Sequence, residues 1–166
     1  DSFALENMLA INYEIDKDET VAIANVGASI TNINILRNNI SGFTRDIFKG
    51  GNQVTEEIQR QLHIDYEEAE RIKVGSKVEA ASQSAVQNVL KTASESLAVE
   101  IGNSLDFFQS TSTYEKISKL YLSGGGSKIK GFDIILQQQI GIPVEVANPF
   151  KRVEYSGKNF DLEYLR

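Results

Sequence analysis

The chain contains no cysteine and a single histidine, His63. The first absence excludes disulfides and thiolate metal sites. The second argues against histidine-based zinc centres and serine-hydrolase triads. No apolar run approaches the roughly 20 residues that span a bilayer. No signal peptide is recognisable, and there is no initiator Met: the first residue is Asp1. That start points to a piece of a longer protein. Positive charge is the minority, with 17 Lys and Arg against 23 Asp and Glu, a formal net charge of −6. This balance disfavours nonspecific binding to nucleic acid or to an anionic membrane. What remains is an ordinary globular composition, 41% apolar and 24% charged over 166 residues, long enough to bury a core.

The pattern along the chain is that of an α/β domain with a mixed sheet. Asp1 to about Ile15 reads as a helix that Ser2 can cap, followed by a charged turn, Asp16–Thr20. Val21 to Ala24 carries apolar side chains on both faces, as a strand covered on both sides does. Thr31 to Leu36 alternates in period two, Ile33 and Ile35 against Asn32 and Asn34. Asn38-Asn39 suits a tight hairpin turn because Asn tolerates positive φ. Ile40 to Phe48 then forms the third strand. After Gly50-Gly51, Asn52 is the expected cap of a helix running to about His63. His63, at the end of that helix, reads as structural. Asp65 with Glu68 has capping-box spacing for a second helix ending near Val74-Gly75. Ser76 with Glu79 repeats the signal and opens the longest helix, to about Phe108. Its apolar or small residues recur every fourth position (Ala81, Ala85, Val89, Ala93, Leu97, Ile101, Leu105). Steps of four drift around a helix, so this one should meet different neighbours along its length. Ser110 to Thr113 reads as a loop, Lys119–Leu122 as a strand, Gly124–Gly126 as a turn, Gly131–Ile140 as a helix and Pro143–Val146 as a strand.

Three segments can carry chemistry. In the first, Asn25-Val26-Gly27-Ala28-Ser29-Ile30-Thr31, a buried strand runs into a small-residue turn with hydroxyls. Open backbone N–H groups there suit a phosphate, although a plain hairpin has the same composition. The second, Ser123-Gly124-Gly125-Gly126-Ser127-Lys128, lies between a strand and a helix. Backbone can approach a ligand closely there, and a flexible connection would look the same. The third is Glu70 with Lys73, which share one helix face. Taken alone they read as a solvated ion pair worth about 0.3 kcal/mol. Asp46, Glu56, Glu57, Glu67 and Glu68 supply further carboxylates, but no spacing among them singles out acid–base work.

In this order, and joined by GGNQVTEEIQRQL, EEAERIK, YLSGGGSKIKGF and VEVANPF, the segments resemble the second half of the type IV pilus assembly protein PilM family. That family is actin-like, related to FtsA, MreB and Hsp70. The resemblance runs from about Asp1 to Val153, with RDIFKGGNQVT and ANPF favouring PilM over FtsA. It implies half of an actin-like (RNase H-like) ATPase fold. Residues 1–50 and 111–150 would form the core, 51–110 a mainly helical inserted subdomain, and 151–166 a truncated tail. ATP with Mg²⁺ is the implied cofactor in the full-length protein. Asn25, Gly27, Ala28, Ser29 and Thr31 match the family's second phosphate motif. Glu70 and Lys73 match the positions that reach the ribose. Gly125, Gly126 and Lys128 match the adenosine motif, with the Lys128 stem beside the adenine.

Two departures from the family pattern bear on activity. The second phosphate motif usually carries Asp where this chain has Asn25. A neutral amide is a poor base, so at most a weak ATPase is expected. The first phosphate motif, an Asp-x-Gly hairpin, and the apolar segment that closes the family's chains are both absent, so the chain is expected to be cut at both ends. The resemblance also implies a cytoplasmic scaffold, held peripherally at the inner membrane and serving twitching motility. Its partner would be the cytoplasmic tail of a PilN-like membrane protein, bound through the missing half. Homo-oligomers would be in keeping with actin-like relatives, and neither nucleic-acid binding nor direct membrane insertion is expected. The alternatives are an FtsA-like division protein and an active ATPase or sugar-type kinase of the same superfamily.

Overall fold

The computed structural model describes residues 2–76, 82–112 and 116–153. Its sheet has five strands in the order β3-β2-β1-β4-β5. These are β1 (Thr20–Val26), β2 (Thr31–Arg37), β3 (Ile40–Ile47), β4 (Lys119–Ser123) and β5 (Val144–Val146). β1, β2 and β3 form an antiparallel meander, while β4 runs parallel to β1 and β5 parallel to β4. Five α-helices complete the described chain: α1 (Ser2–Asn12), α2 (Gly51–Leu62), α3 (Tyr66–Lys73), α4 (Gln83–Thr111) and α5 (Phe132–Ile140).

β1 is central, and its apolar residues serve two cores. Ala22, Ala24 and Val26 join Ile33, Ile35, Leu120 and Leu122 beneath α2, α3, α4 and α5. Val21 and Ile23 join Leu36 and Tyr121 on the opposite face, covered by Leu9 of α1. A strand covered on both sides needs apolar residues at consecutive positions, as its sequence has. β2 is different. Asn32 and Asn34 sit on the face opposite Ile33 and Ile35 and bond within a polar cluster. Asn32 donates to Asp46 at 2.7 Å and Asn34 to Glu6 at 2.8 Å. The buried amide of Asn34 is tolerable there because it finds a partner. Asn38 and Asn39 both take positive φ, 53° and 57°, as the hairpin turn requires.

α4 packs against α2, α5 and β3. Gly102 lies close to α5; a methyl there would already be 3.6 Å from Ile140. Near its end Phe108 packs against Phe43, with ring centroids 5.4 Å apart. The drift of its apolar positions therefore has a structural counterpart.

Several local expectations need correction. α1 ends at Asn12 rather than near Ile15, because Tyr13 turns away to pack on Tyr121 at 4.8 Å and to accept the Asn148 N–H. Ser2 does not act as a cap. It lies within α1, and its hydroxyl donates to Asn32. Glu79, expected to start the long helix with Ser76, lies outside the described residues. The described start is Ser82, whose hydroxyl accepts the Ala85 N–H at 3.3 Å. Ser110 and Thr111 belong to α4 rather than to a loop. Their hydroxyls donate to the Phe107 carbonyl, at 2.8 and 2.9 Å, which keeps them satisfied in helical geometry. Asn52 is not the cap of α2. That position is Gly50, whose surroundings are described below.

Candidate nucleotide site

The carboxyl ends of parallel β1 and β4 lie side by side, with Asn25 opposite Ser123. Ligands of open α/β sheets bind beyond such ends. Two loops leave them. The first, Gly27–Ile30, is closed by the Gly27 N–H donating to the Ile30 carbonyl at 2.9 Å. The second passes through Gly124 into a short 3₁₀ turn, Gly125–Lys128.

The second loop rests on the end of β1 itself. A Cβ on Gly126 would meet Val26 Cγ1 at 2.1 Å, and one on Gly124 would meet Asn25 Oδ1 at 2.5 Å. Gly124 also holds φ +81°, which L side chains avoid. Gly125 faces open space and is exposed, as is Lys128. Glycine is thus needed at 124 and 126 for the close approach of the two loops.

The start of α2 holds the first loop from behind. The Gly51 N–H donates to the Gly27 carbonyl at 2.9 Å, and the Asn52 N–H to the Ala28 carbonyl at 2.8 Å. These N–H groups are among those a helix leaves without an intrahelical acceptor. The loop carbonyls take the place of a side-chain cap, which explains why Asn52 does not serve as one. Its amide instead donates to the Ser29 hydroxyl at 3.3 Å.

α3 buttresses α2. The Lys73 ammonium donates to the Gly51 carbonyl at 3.3 Å, the Thr55 hydroxyl at 2.9 Å and Glu70 Oε1 at 2.5 Å. The Thr55 hydroxyl in turn donates to Glu70. Lys73 is only 8% exposed and Glu70 half-buried, so this is a network centred on a buried ammonium and not a solvated pair on a helix surface. Burial by itself pushes the Glu70 carboxyl up. The hydrogen bonds from Lys73 and Thr55, together with the Lys73 charge, outweigh it and hold Glu70 below its ordinary value. Lys73 also reaches the glycine turn, since its carbonyl accepts the Lys130 N–H at 3.0 Å. The first loop is thus held by α2 and α2 by Lys73, whose carbonyl binds the chain just past the glycine turn, and the glycine turn itself rests on the end of β1.

A family model for the type IV pilus assembly protein PilM matches residues 1–164. The chain belongs to the PilM family. Among solved structures, a PilM–PilN type IV pilus biogenesis complex aligns at a TM-score of 0.78 and 27% identity, over 98% of this chain and 44% of that one. The ethanolamine utilization protein EutJ of Carboxydothermus hydrogenoformans aligns at 0.66 and 21%, over 86% of this chain and 46% of that one. MreB5 of Spiroplasma citri bound to AMPPNP aligns at 0.60 and 17%, over 86% and 53%. At these identities the last two establish the fold alone: this is half of an actin-like domain pair. The PilM-family chain spans about half the length of the structures it matches, or less.

Within this PilM-family chain, Asn25, Gly27, Gly124, Gly126, Glu70 and Lys73 surround one junction, with Ala28, Ser29, Gly125 and Lys128 exposed at its rim. Thr31 is placed differently. It is wholly buried, and its hydroxyl donates to the Lys49 carbonyl at 2.8 Å, tying β2 to the end of β3. Among the described residues no cluster of three or more His, Asp or Glu side chains is arranged to hold a metal ion. Gly50 and Thr55 were not singled out from the sequence. The available signal was the Gly-Gly pair at a helix start, where a single capping residue would have sufficed.

The lowered pKa of Glu70 has a definite pH signature. Its ionised form is favoured by folding, so its contribution is complete above the ordinary carboxylate value of about 4.3 and is lost as pH falls through the lower folded value. Glu70→Gln should reduce stability at pH 7, where Lys73 loses its counter-charge, by about 2 kcal/mol. The deficit should shrink in acid as wild-type Glu70 protonates. Urea unfolding at pH 7 and pH 3 measures this; an equal deficit at both would remove Glu70 from the network.

Proposed function

We propose that this chain forms one wall of an ATP site in a PilM-like scaffold of type IV pilus assembly. What carries the reading is the meeting of two glycine-lined loops and the Glu70–Lys73 pair at the carboxyl ends of parallel β1 and β4. Ala28 and Ser29 would offer backbone N–H and hydroxyl groups to the β- and γ-phosphates, while Gly27, whose N–H is taken by the Ile30 carbonyl, would shape the turn that presents them. Gly125 and Gly126 would lie along the α-phosphate and ribose, with the Lys128 stem beside the adenine. Glu70 and Lys73 would border the ribose. Mg²⁺ bound with the nucleotide would screen the phosphate charge. Residues 51–110 would form the smaller helical subdomain and residues 1–50 with 111–150 the core.

The opposite wall belongs to the other half of a PilM-like parent. In this proposal that half also receives the cytoplasmic tail of a PilN-like protein, which would hold the scaffold at the inner membrane. Membrane insertion through this part is not invoked: no helix among the described residues is long and apolar enough to cross a bilayer. Binding energy from a single wall must still offset the lost freedom of the ligand. The intact protein should therefore bind ATP and the PilN tail in calorimetric titrations, and the 166-residue chain alone should bind both weakly or not at all. Micromolar ATP affinity for the chain alone would contradict the two-wall reading.

Asn25 separates a scaffold from an active phosphoryl-transfer enzyme. An amide cannot take a proton from an attacking water as a carboxylate can. In the intact protein ATP should turn over slowly, and Asn25→Asp should raise the steady-state rate by about tenfold or more, at the low end of what a positioned general base contributes. Phosphate-release assays measure this; an unchanged rate would remove Asn25 from the mechanism.

A further inference from the structure

We infer that Gly50 and the first turn of α2 are a positioning device for the phosphate-facing loop, and that without them the loop's donors would not point at a ligand. The inference rests on the ATP-binding reading above. In a planar trans peptide the C=O and the following N–H point in opposite directions. The Gly27 carbonyl is fixed on the Gly51 N–H and the Ala28 carbonyl on the Asn52 N–H. The N–H groups of Ala28 and Ser29 must therefore point away from α2, on the same side of the loop. Neither donates to another group among the described residues. Two successive N–H groups with one aim form an anion-binding concavity.

The helix itself is not the anion site, because its first N–H donors are consumed by the loop. It acts through the loop: it orients two peptides, and its positive end lies behind them. Gly50 permits this contact. Its backbone is extended, at φ −163°, so no conformational strain is involved. The constraint is space. A Cβ at position 50 would fall 2.5 Å from the Gly27 oxygen and 2.7 Å from the Ala28 oxygen, both backbone atoms that cannot rotate aside. Lys73 fixes the same turn from the other side by holding the Gly51 carbonyl. Gly50 and Asn52 are thus positioning residues rather than ligands.

The test uses the intact protein and compares ATP with adenosine, which lacks the phosphates. Gly50→Ala displaces the loop. Asn52→Pro removes one N–H in the first helical turn, where proline is tolerated. Asn52→Ala keeps that N–H and serves as the baseline for loss of the side chain. ATP affinity should fall about tenfold in Gly50→Ala, and about tenfold in Asn52→Pro relative to Asn52→Ala, while adenosine affinity stays within about twofold, as expected if only phosphate hydrogen bonds are lost. Equal ATP affinity for Asn52→Pro and Asn52→Ala would overturn the inference, as would parallel losses for ATP and adenosine. Should Gly50→Ala fail to fold, the Asn52 pair decides alone. If the unsubstituted protein binds no ATP, the ATP-binding reading fails, and the inference with it.

Discussion

A lysine ammonium held almost wholly out of water must be satisfied by several acceptors at once, and Lys73 is so held. Its three acceptors are the Gly51 carbonyl, Thr55 and Glu70. Meeting that demand fixes the first turn of α2 against α3. The fixed turn then holds the carbonyls of Gly27 and Ala28. Through its own carbonyl Lys73 also anchors Lys130, beyond the glycine turn. Segments far apart in sequence are thereby brought around one buried charge. The arrangement costs desolvation, and burying a charged group for stability alone would be a poor exchange. Its value lies in setting the relative positions of two loops to within a hydrogen-bond length.

Much of this was legible in the sequence, and the rest was not, for identifiable reasons. Asn38-Asn39 and Asp65-x-x-Glu68 were readable because turn and cap geometry depend on a few neighbouring residues. The double-faced burial of β1 followed from consecutive apolar residues. The order of glycine and hydroxyl motifs pointed to the actin-like fold and to the PilM family. What the sequence concealed was tertiary. Asn52 is a good capping residue in isolation, yet the loop from β1 supplies carbonyls at that place. Glu70 and Lys73 have the spacing of a surface ion pair, and only the packing of α2 over them buries the Lys73 end and leaves Glu70 half-buried. Ser2 and Ser110 have hydroxyls that suit a cap or a loop, but both lie inside helices, where Ser2 bonds to Asn32 of β2 and Ser110 to the Phe107 carbonyl. Except at Ser110, which bonds back within its own helix, a local preference gave way to an acceptor or donor supplied from elsewhere.

The same geometry bears on what kind of protein this is. On the ATP-site proposal, this half would present phosphate and ribose contacts and the other half would complete the enclosure of the nucleotide. A neutral amide at position 25 leaves this wall without the carboxylate that would help to activate water. Both features are the reason the proposal takes ATP as a ligand that would hold a scaffold in one arrangement, and not as a substrate that is turned over rapidly. The flat economy of the site, built from backbone groups and glycines, is consistent with that role. Backbone donors recognise phosphate geometry without needing many charged side chains.

Amide hydrogen exchange tests the central claim most directly, because it reads the individual N–H groups on which the account turns. In the chain without nucleotide, the Gly51 and Asn52 amides should be protected, while the Ala28 and Ser29 amides exchange freely. In the intact protein, ATP should slow exchange at Ala28 and Ser29 and leave Gly51 and Asn52 unchanged. Free exchange at Gly51 and Asn52, or protection of Ala28 and Ser29 before any ligand is added, would contradict the account.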